Sequence, residues 1–296
     1  MQRESGNIVI TAGLSRGFAC GLLRGVAANS ASGLGPMTSL ELLRSLASLG
    51  IPDSILEDLP AVPESVSAMV LYGSRSRGDS VEGSDLDLLA LVPTHQPTIS
   101  VGAVSLSFYT SSQLNAGVGT LFGAHLKRDG RVLFDHDGRL TEALSRMGQV
   151  DTSRLFQRAL AMSQLFTTPE RDLPKYLGGL LRQARYLLRS GLYAQAIASG
   201  APCFSVREIA DRHNDPELAR LLASRQGDDP SLEGYSACLS RLQHLVGEFP
   251  ANLHGSLEAA LVNEWGSGSD LLSMAFMALG SSGAGSDYAE VEKILL

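Results

Sequence analysis

The stretch LYGSRSRGDSVEGSDLDLLALV, Leu71 to Val92, constrains this chain more than any other. It contains an apolar run of strand length, AMVLYG from Ala68, and a second one, LDLLALV from Leu86. Between them lies SRSRG with a polar loop, which leaves room for one or two helical turns. A third run, AVSLSFYT from Ala103, alternates apolar and polar residues with period two. Strand, short turn, strand, strand predicts an α+β unit whose loops carry the polar groups.

Asp85 and Asp87 stand two apart at the entrance to the second strand, and residues two apart on a strand share a face. Convergent carboxylates repel unless a cation lies between them. Hard divalent ions such as magnesium take carboxylate oxygens together with substrate phosphates. Gly73 lets backbone amides approach a phosphate, Ser74 adds a hydroxyl donor, and the short helix that follows presents its N-terminus. An isolated Asp-x-Asp is most often the solvated edge of a strand. Here Gly-Ser ends one strand, Gly78 follows, and Ser84-Asp85-Leu86-Asp87-Leu88 opens the next, a far more specific combination.

At these residues the sequence resembles the DNA polymerase β-like nucleotidyltransferase superfamily, and within it the minimal nucleotidyltransferases. The signature covers Gly73 to Leu88; a looser likeness runs through RDGRVLFDHDG, Arg128 to Gly138, and YLLRSGLYAQA. The resemblance implies that Asp85 and Asp87 are catalytic and bind Mg2+ or Mn2+ carrying a nucleoside triphosphate. It also implies that Gly73 and Ser74, with Ser84 beside them, hold the phosphates. The implied reaction moves a nucleoside monophosphate to a hydroxyl of a protein, a tRNA or a small molecule, in a toxin or phage-defence setting. The family usually adds a third acid on the neighbouring strand, where this chain offers Ser105 and Ser107. Asp135, Asp137 and Glu142 stay open as substitutes, as does a catalytically silent nucleotide-binding protein.

From about Leu121 the pattern turns helical, with no further strand expected. TSLELLRSLASLGIP, from Thr38, reads as a helix with N-cap and stop signals. In TPERDLPKYLGGLLRQARYLLRSG, Thr168 is the expected N-cap, Pro169 or Pro174 the start, and Gly191 the end. Ser205 with Glu208 forms a capping box, and Asp215-Pro216 a second start. Lys175, Arg182, Arg185 and Arg189 fall in one quadrant of the long helix, opposite its leucines. Arg182 and Arg185 are therefore candidate phosphate-binding residues, against the plainer alternative of a solvated face. Arg207 and His213 weakly resemble the Arg/His pair of HEPN ribonucleases, but six positions on a helix do not share a face. Trp265 is expected in the core.

The expected organisation is a small mixed-sheet domain over 37–145 and a helical bundle over 146–280, with a tail at 281–296. Residues 1–36, rich in Gly, Ala and Ser, read as a disordered extension or as the product of a start upstream of Met37. A length of 296 residues suits two such units. The formal charge of -7 argues against nonspecific DNA binding. No run is long and apolar enough to span a membrane. Cys20, Cys203 and Cys238 are scattered and odd in number, which points to a reducing cytoplasm.

Overall fold

The computed structural model describes residues 39–167, 169–222 and 230–280. The expectations for residues 1–36, for Thr38 and Thr168 as caps, for Cys20 and for the 281–296 tail lie outside the described residues. The fold is α+β, with a mixed sheet in the first half followed by helices.

The first half runs α1 (Ser39–Ser48), α2 (Asp53–Leu56), β1 (Ala68–Tyr72), α3 (Gly73–Arg77), β2 (Leu86–Leu91), β3 (Ile99–Val101) and β4 (Val104–Tyr109). It continues with α4 (Ser111–Ala116), α5 (Leu121–Asp129), β5 (Arg131–Asp135) and α6 (Arg139–Arg146). The strands lie in the order β3-β4-β2-β1-β5. β2 and β4 are parallel, and the other neighbours are antiparallel. Two of the five strands depart from the sequence expectation. β3 is only three residues long, and β5 lies in the region expected to be helical. β5 is an edge strand that begins on an exposed Arg131 and ends on Asp135, so its apolar run is too short to stand out.

Alternation sorts the strand side chains onto two faces. Met69, Leu71, Leu86, Leu88, Leu106 and Phe108 pack under α1 and α2 with Leu42 and Leu46. Val70, Tyr72, Leu89, Leu91 and Tyr109 pack on the other face, against Leu114, Phe122, Leu126 and Leu140 from α4, α5 and α6. Asp87 precedes Leu89 by two and so belongs to this second face.

The helical half comprises α7 (Thr152–Met162), α8 (Leu173–Ala198), α9 (Val206–Arg212), α10 (Pro216–Leu222), α11 (Leu232–Val246), α12 (Leu257–Asn263) and α13 (Asp270–Gly280). Side chains cap several of them: Asp151, Ser205, Ser231 and Ser256 each accept from an amide in the first turn. The predicted starts at Ser205 and Asp215 are where the structure has them, with Asp215 Oδ1 accepting from the Leu218 amide at 3.1 Å.

α8 corrects the sequence expectation at both ends. Pro169–Arg171 is a separate 3-10 turn, and Pro174 lies in the first turn of α8, where Tyr176 departs from helical angles (φ -125°, ψ 20°). Gly191 does not stop the helix; it is buried mid-helix because α11 crosses there, and a Cβ would meet Leu245 Cδ2 at 2.5 Å. Gly179 serves the same purpose against α13, where a Cβ would collide with the Ala278 backbone carbonyl. A glycine signals a helix end only when no neighbouring helix needs its missing side chain. The buried leucines of α8, among them Leu180, Leu181, Leu187 and Leu188, form the centre of this core. Trp265 is not in it: 72% of its surface is exposed, just beyond the seven-residue α12.

Candidate functional site

Gly73 follows β1 and opens α3 with φ +78°, a left-handed conformation that glycine adopts without strain. Its missing side chain is also a close contact, since a Cβ there would lie 2.5 Å from Asp87 Oδ2. The turn therefore brings the backbone of Gly73 directly against the Asp87 carboxylate. Antiparallel pairing of Tyr72 with Asp87 sets this register, and it places Ser74 at the start of α3 beside the same carboxylate. Asp85 comes just before β2 and is exposed, while Asp87 is half-buried.

Arg75, from the same turn, returns to this strand mouth. Its Nε and Nη2 donate to the Ser84 carbonyl at 3.1 and 2.6 Å. Burial lowers its pKa, opposed by attraction to Asp85 and Asp87. Asp85, though exposed as a residue, has its carboxyl partly screened from water by the groups around the mouth, which raises its pKa, opposed by Arg75. On each partner, the cost of leaving water outweighs the attraction between them. Arg75 was not among the sequence candidates. Two arginines in SRSRG look alike in the sequence, and only the fold shows that Arg75 turns to the carboxylates while Arg77 turns away. The Ser84 hydroxyl is used locally, accepting from the Val81 amide at 2.8 Å, so the residue's link to the mouth is its carbonyl.

Parallel pairing sets Ser105 directly opposite Asp87 on β4. Ser107, two residues deeper, is fully buried and hydrogen-bonds the Tyr72 hydroxyl. Neither is an acid. The other candidates are at the wrong end of the sheet. Asp135 pairs with Ala68 while Asp87 pairs with Tyr72, four residues along β1 or about 13 Å. Asp135 Oδ2 accepts from the Thr141 amide at 2.8 Å, and Asp137 pairs with Arg139 at 3.1 Å. Glu142 pairs with Arg146, which itself donates to Asn115 beyond the far end of β4. Among the described residues, no three His, Cys, Asp or Glu side chains converge as a metal-binding group.

The basic stripe of α8 does not reach this mouth as a unit. Arg185 lies against α11, within hydrogen-bonding distance of Cys238. Its Nε is buried without a hydrogen-bond partner. Arg189 donates to the Leu222 carbonyl at 2.5 Å, and Lys175 pairs with Glu258 at 3.5 Å. Arg182 is half-buried and engaged within the protein. Arg207 and His213 are also separated, with Arg207 lining a cleft of about 520 Å3 beside α3 and His213 a pocket of about 350 Å3 over α8 and α11.

The two halves meet through aromatic contacts. His125 stacks on Phe204 with ring centroids 4.9 Å apart and meets Tyr72 edge-on at 6.0 Å. Tyr193 donates to the Phe204 carbonyl at 3.1 Å. The strand mouth is thus tied, through Tyr72 and α5, to the start of α9.

Residues 53–136, less than a third of the chain, match the family described as nucleotidyltransferase domain. No curated protein matches. Among solved structures, the chain is similar to a nucleotidyltransferase-like protein from Exiguobacterium sibiricum 255-15 at 17% identity, over 67% of this chain and 74% of that one, with a TM-score of 0.27. No helix among the described residues is long and apolar enough to cross a membrane.

Proposed function

We propose, from the premise that residues 53–136 are a nucleotidyltransferase domain, that the strand mouth transfers a nucleoside monophosphate from a metal-bound triphosphate to a hydroxyl, releasing pyrophosphate. The observation that carries this reading is the contact between Gly73 and Asp87, which forms a cradle that any side chain at position 73 would fill. A hard divalent ion fits the donor set: the carboxylates of Asp85, just before β2, and Asp87, its second residue. When bound, magnesium or manganese neutralises triphosphate charge and polarises the phosphoryl group under attack.

The chain's own part is positioning. Gly73 holds Asp87 in place by contact, and Ser74 offers a hydroxyl and a backbone amide to phosphate oxygens. Arg75, anchored on the Ser84 carbonyl, keeps a fixed positive charge beside both carboxylates. Such groups act by orientation and charge rather than by covalent chemistry. With Ser105 in place of a third carboxylate, no further acid among the described residues stands at the mouth to assist in taking the proton from the attacking hydroxyl. Turnover should therefore be about two to three orders of magnitude below that of a complete site. Arg182 and Arg185 have no part in this reading.

Ser105 also supports a second reading, a protein that binds a metal-bound triphosphate without turning it over. Incubation with labelled triphosphates, magnesium and cell extract separates the two. Labelling that requires Asp85 and Asp87 supports transfer. Triphosphate binding without labelling, in a protein where Ser105→Asp restores it, supports the silent pocket. RNA cleavage that needs His213 and neither aspartate would contradict both.

A further inference from the structure

His125 has no part in the chemistry above, yet its imidazole touches both ends of the segment that shapes the strand mouth. Tyr72, the residue before the Gly73–Ser74 turn, meets the ring edge-on at 6.0 Å. Arg77, the last residue of α3, donates from Nη1 to His125 Nε2 at 3.0 Å. A guanidinium has donors only, so Nε2 is the acceptor and the ring proton lies on Nδ1. The same Nη1 donates to Asp129 Oδ2 at 3.3 Å, and Nε2 and Oδ2 lie 3.4 Å apart. One nitrogen with two hydrogens thus serves two acceptors that stand one turn apart on α5. Asp79 takes the Nε edge of Arg77 at 3.2 Å. The Arg77 side chain is only 15% exposed, so removing Nε2 would leave a largely buried N–H without its acceptor.

The ring itself is set from the helical half. Buried Phe204 stacks on it at 4.9 Å with the planes 22° apart. Tyr193 of α8 meets Phe204 edge-on at 5.2 Å while donating to its carbonyl at 3.1 Å. His125 therefore carries the placement of the helical core to the turn that faces Asp87.

We propose that His125 is a positioning residue of the strand mouth. In its Nδ1–H form it fixes Arg77 by a hydrogen bond and Tyr72 by ring contact, and so holds the Gly73–Ser74 turn against Asp87. Its effect on triphosphate binding rests on the transferase reading above; the clamp on α3 does not. The plainer alternative is a ring that only fills space between the two halves, and substitution separates them. His125→Phe keeps the stack on Phe204 and loses the acceptor, whereas His125→Gln loses the ring and offers Oε1 to Arg77.

The test combines NMR, hydrogen exchange and calorimetry on the wild-type chain and these two variants. Long-range nitrogen–proton correlations of the wild-type imidazole, at mildly alkaline pH, should show Nδ1 protonated and Nε2 bare. This is read without any substitution, so it stands even where a variant fails to fold. The Gly78 and Asp79 amides both donate to the Ser74 carbonyl, at 3.0 and 3.1 Å, and their exchange reports on α3. His125→Phe should speed that exchange about tenfold and weaken magnesium-triphosphate binding about tenfold, with exchange in β2 unchanged. His125→Gln should recover most of both losses. A proton on Nε2 in the wild type, or a Phe variant equal to the wild type in exchange or in affinity, overturns the proposal. A Gln variant as impaired as the Phe variant overturns it too, because the ring then acts by packing alone. The expected tautomer and exchange pattern in a chain with no magnesium-triphosphate heat upholds the clamp and instead refutes the transferase reading.

Discussion

The strand mouth and the long helix α8 both carry charged residues at regular spacing, yet the fold treats them in opposite ways. At the mouth, Gly73, Ser74, Arg75, Asp85 and Asp87 come from one turn and the two strands it joins. A single antiparallel register, Tyr72 against Asp87, brings them together. On α8, the direction each arginine faces depends on helices far away in sequence. Arg185 meets Cys238 of α11, and Arg189 meets the last turn of α10. Burial pushes the Cys238 thiol up to about 11 while Arg185 pulls it back, the signature of a cation held inside a helix contact. Local geometry preserves the chemistry that a motif encodes. Helical periodicity defines only a face, and packing decides what covers it.

The comparison breaks most sharply on glycine. Gly179→Ala places a Cβ into the Ala278 backbone carbonyl, which has no side chain to give way, and should cost about 2–3 kcal/mol in denaturant unfolding. Magnesium-triphosphate binding per folded molecule should survive; its loss would mean that the mouth depends on α8 packing after all. Gly73→Ala should show the reverse pattern. The left-handed backbone costs about 1–2 kcal/mol, but the new methyl group displaces Asp87, so triphosphate affinity by calorimetry should fall at least tenfold.

A smaller effect tests the electrostatics of the helical half. The hydrogen bond from Arg241, at 2.8 Å, holds the Asp215 carboxyl below its ordinary value. A depressed acid stabilises the fold fully above its unfolded pKa, and that contribution is lost as pH falls through the folded one. Asp215→Asn keeps an acceptor for the Leu218 amide and removes only the charge. The pair is partly exposed, so the loss should be about 1 kcal/mol at neutral pH. Paired melts should converge as pH drops below the ordinary value of 3.8. Smallest of all, Trp265→Ala should change stability by no more than ~0.5 kcal/mol, because this tryptophan is 72% exposed. A loss of several kcal/mol there would restore it to the core.

What the sequence made legible follows the same division. The Gly-Ser turn, the strands from Ala68, Leu86 and Val104, and the caps at Ser205 and Asp215 rest on short-range rules, and the structure has them all. β5 was missed because an edge strand needs no long apolar run, and β3 because three residues carry no period. Gly191 gave a helix-stop signal that the passage of α11 explains differently. The question of a third acid was not answerable without pairing. Asp135 looked as available as any acid until its place opposite Ala68 set it at the far end of β1 from Asp87. Arg75 was invisible as a site residue because nothing in SRSRG separates it from Arg77.

Isothermal titration of magnesium-loaded ATP, GTP, CTP and UTP into the wild-type chain and Asp87→Asn tests the central claim most directly. The account predicts a heat of association with at least one triphosphate that vanishes without the metal and falls at least tenfold in the variant. Equal binding by the two proteins, or no heat with any of the four, would contradict it.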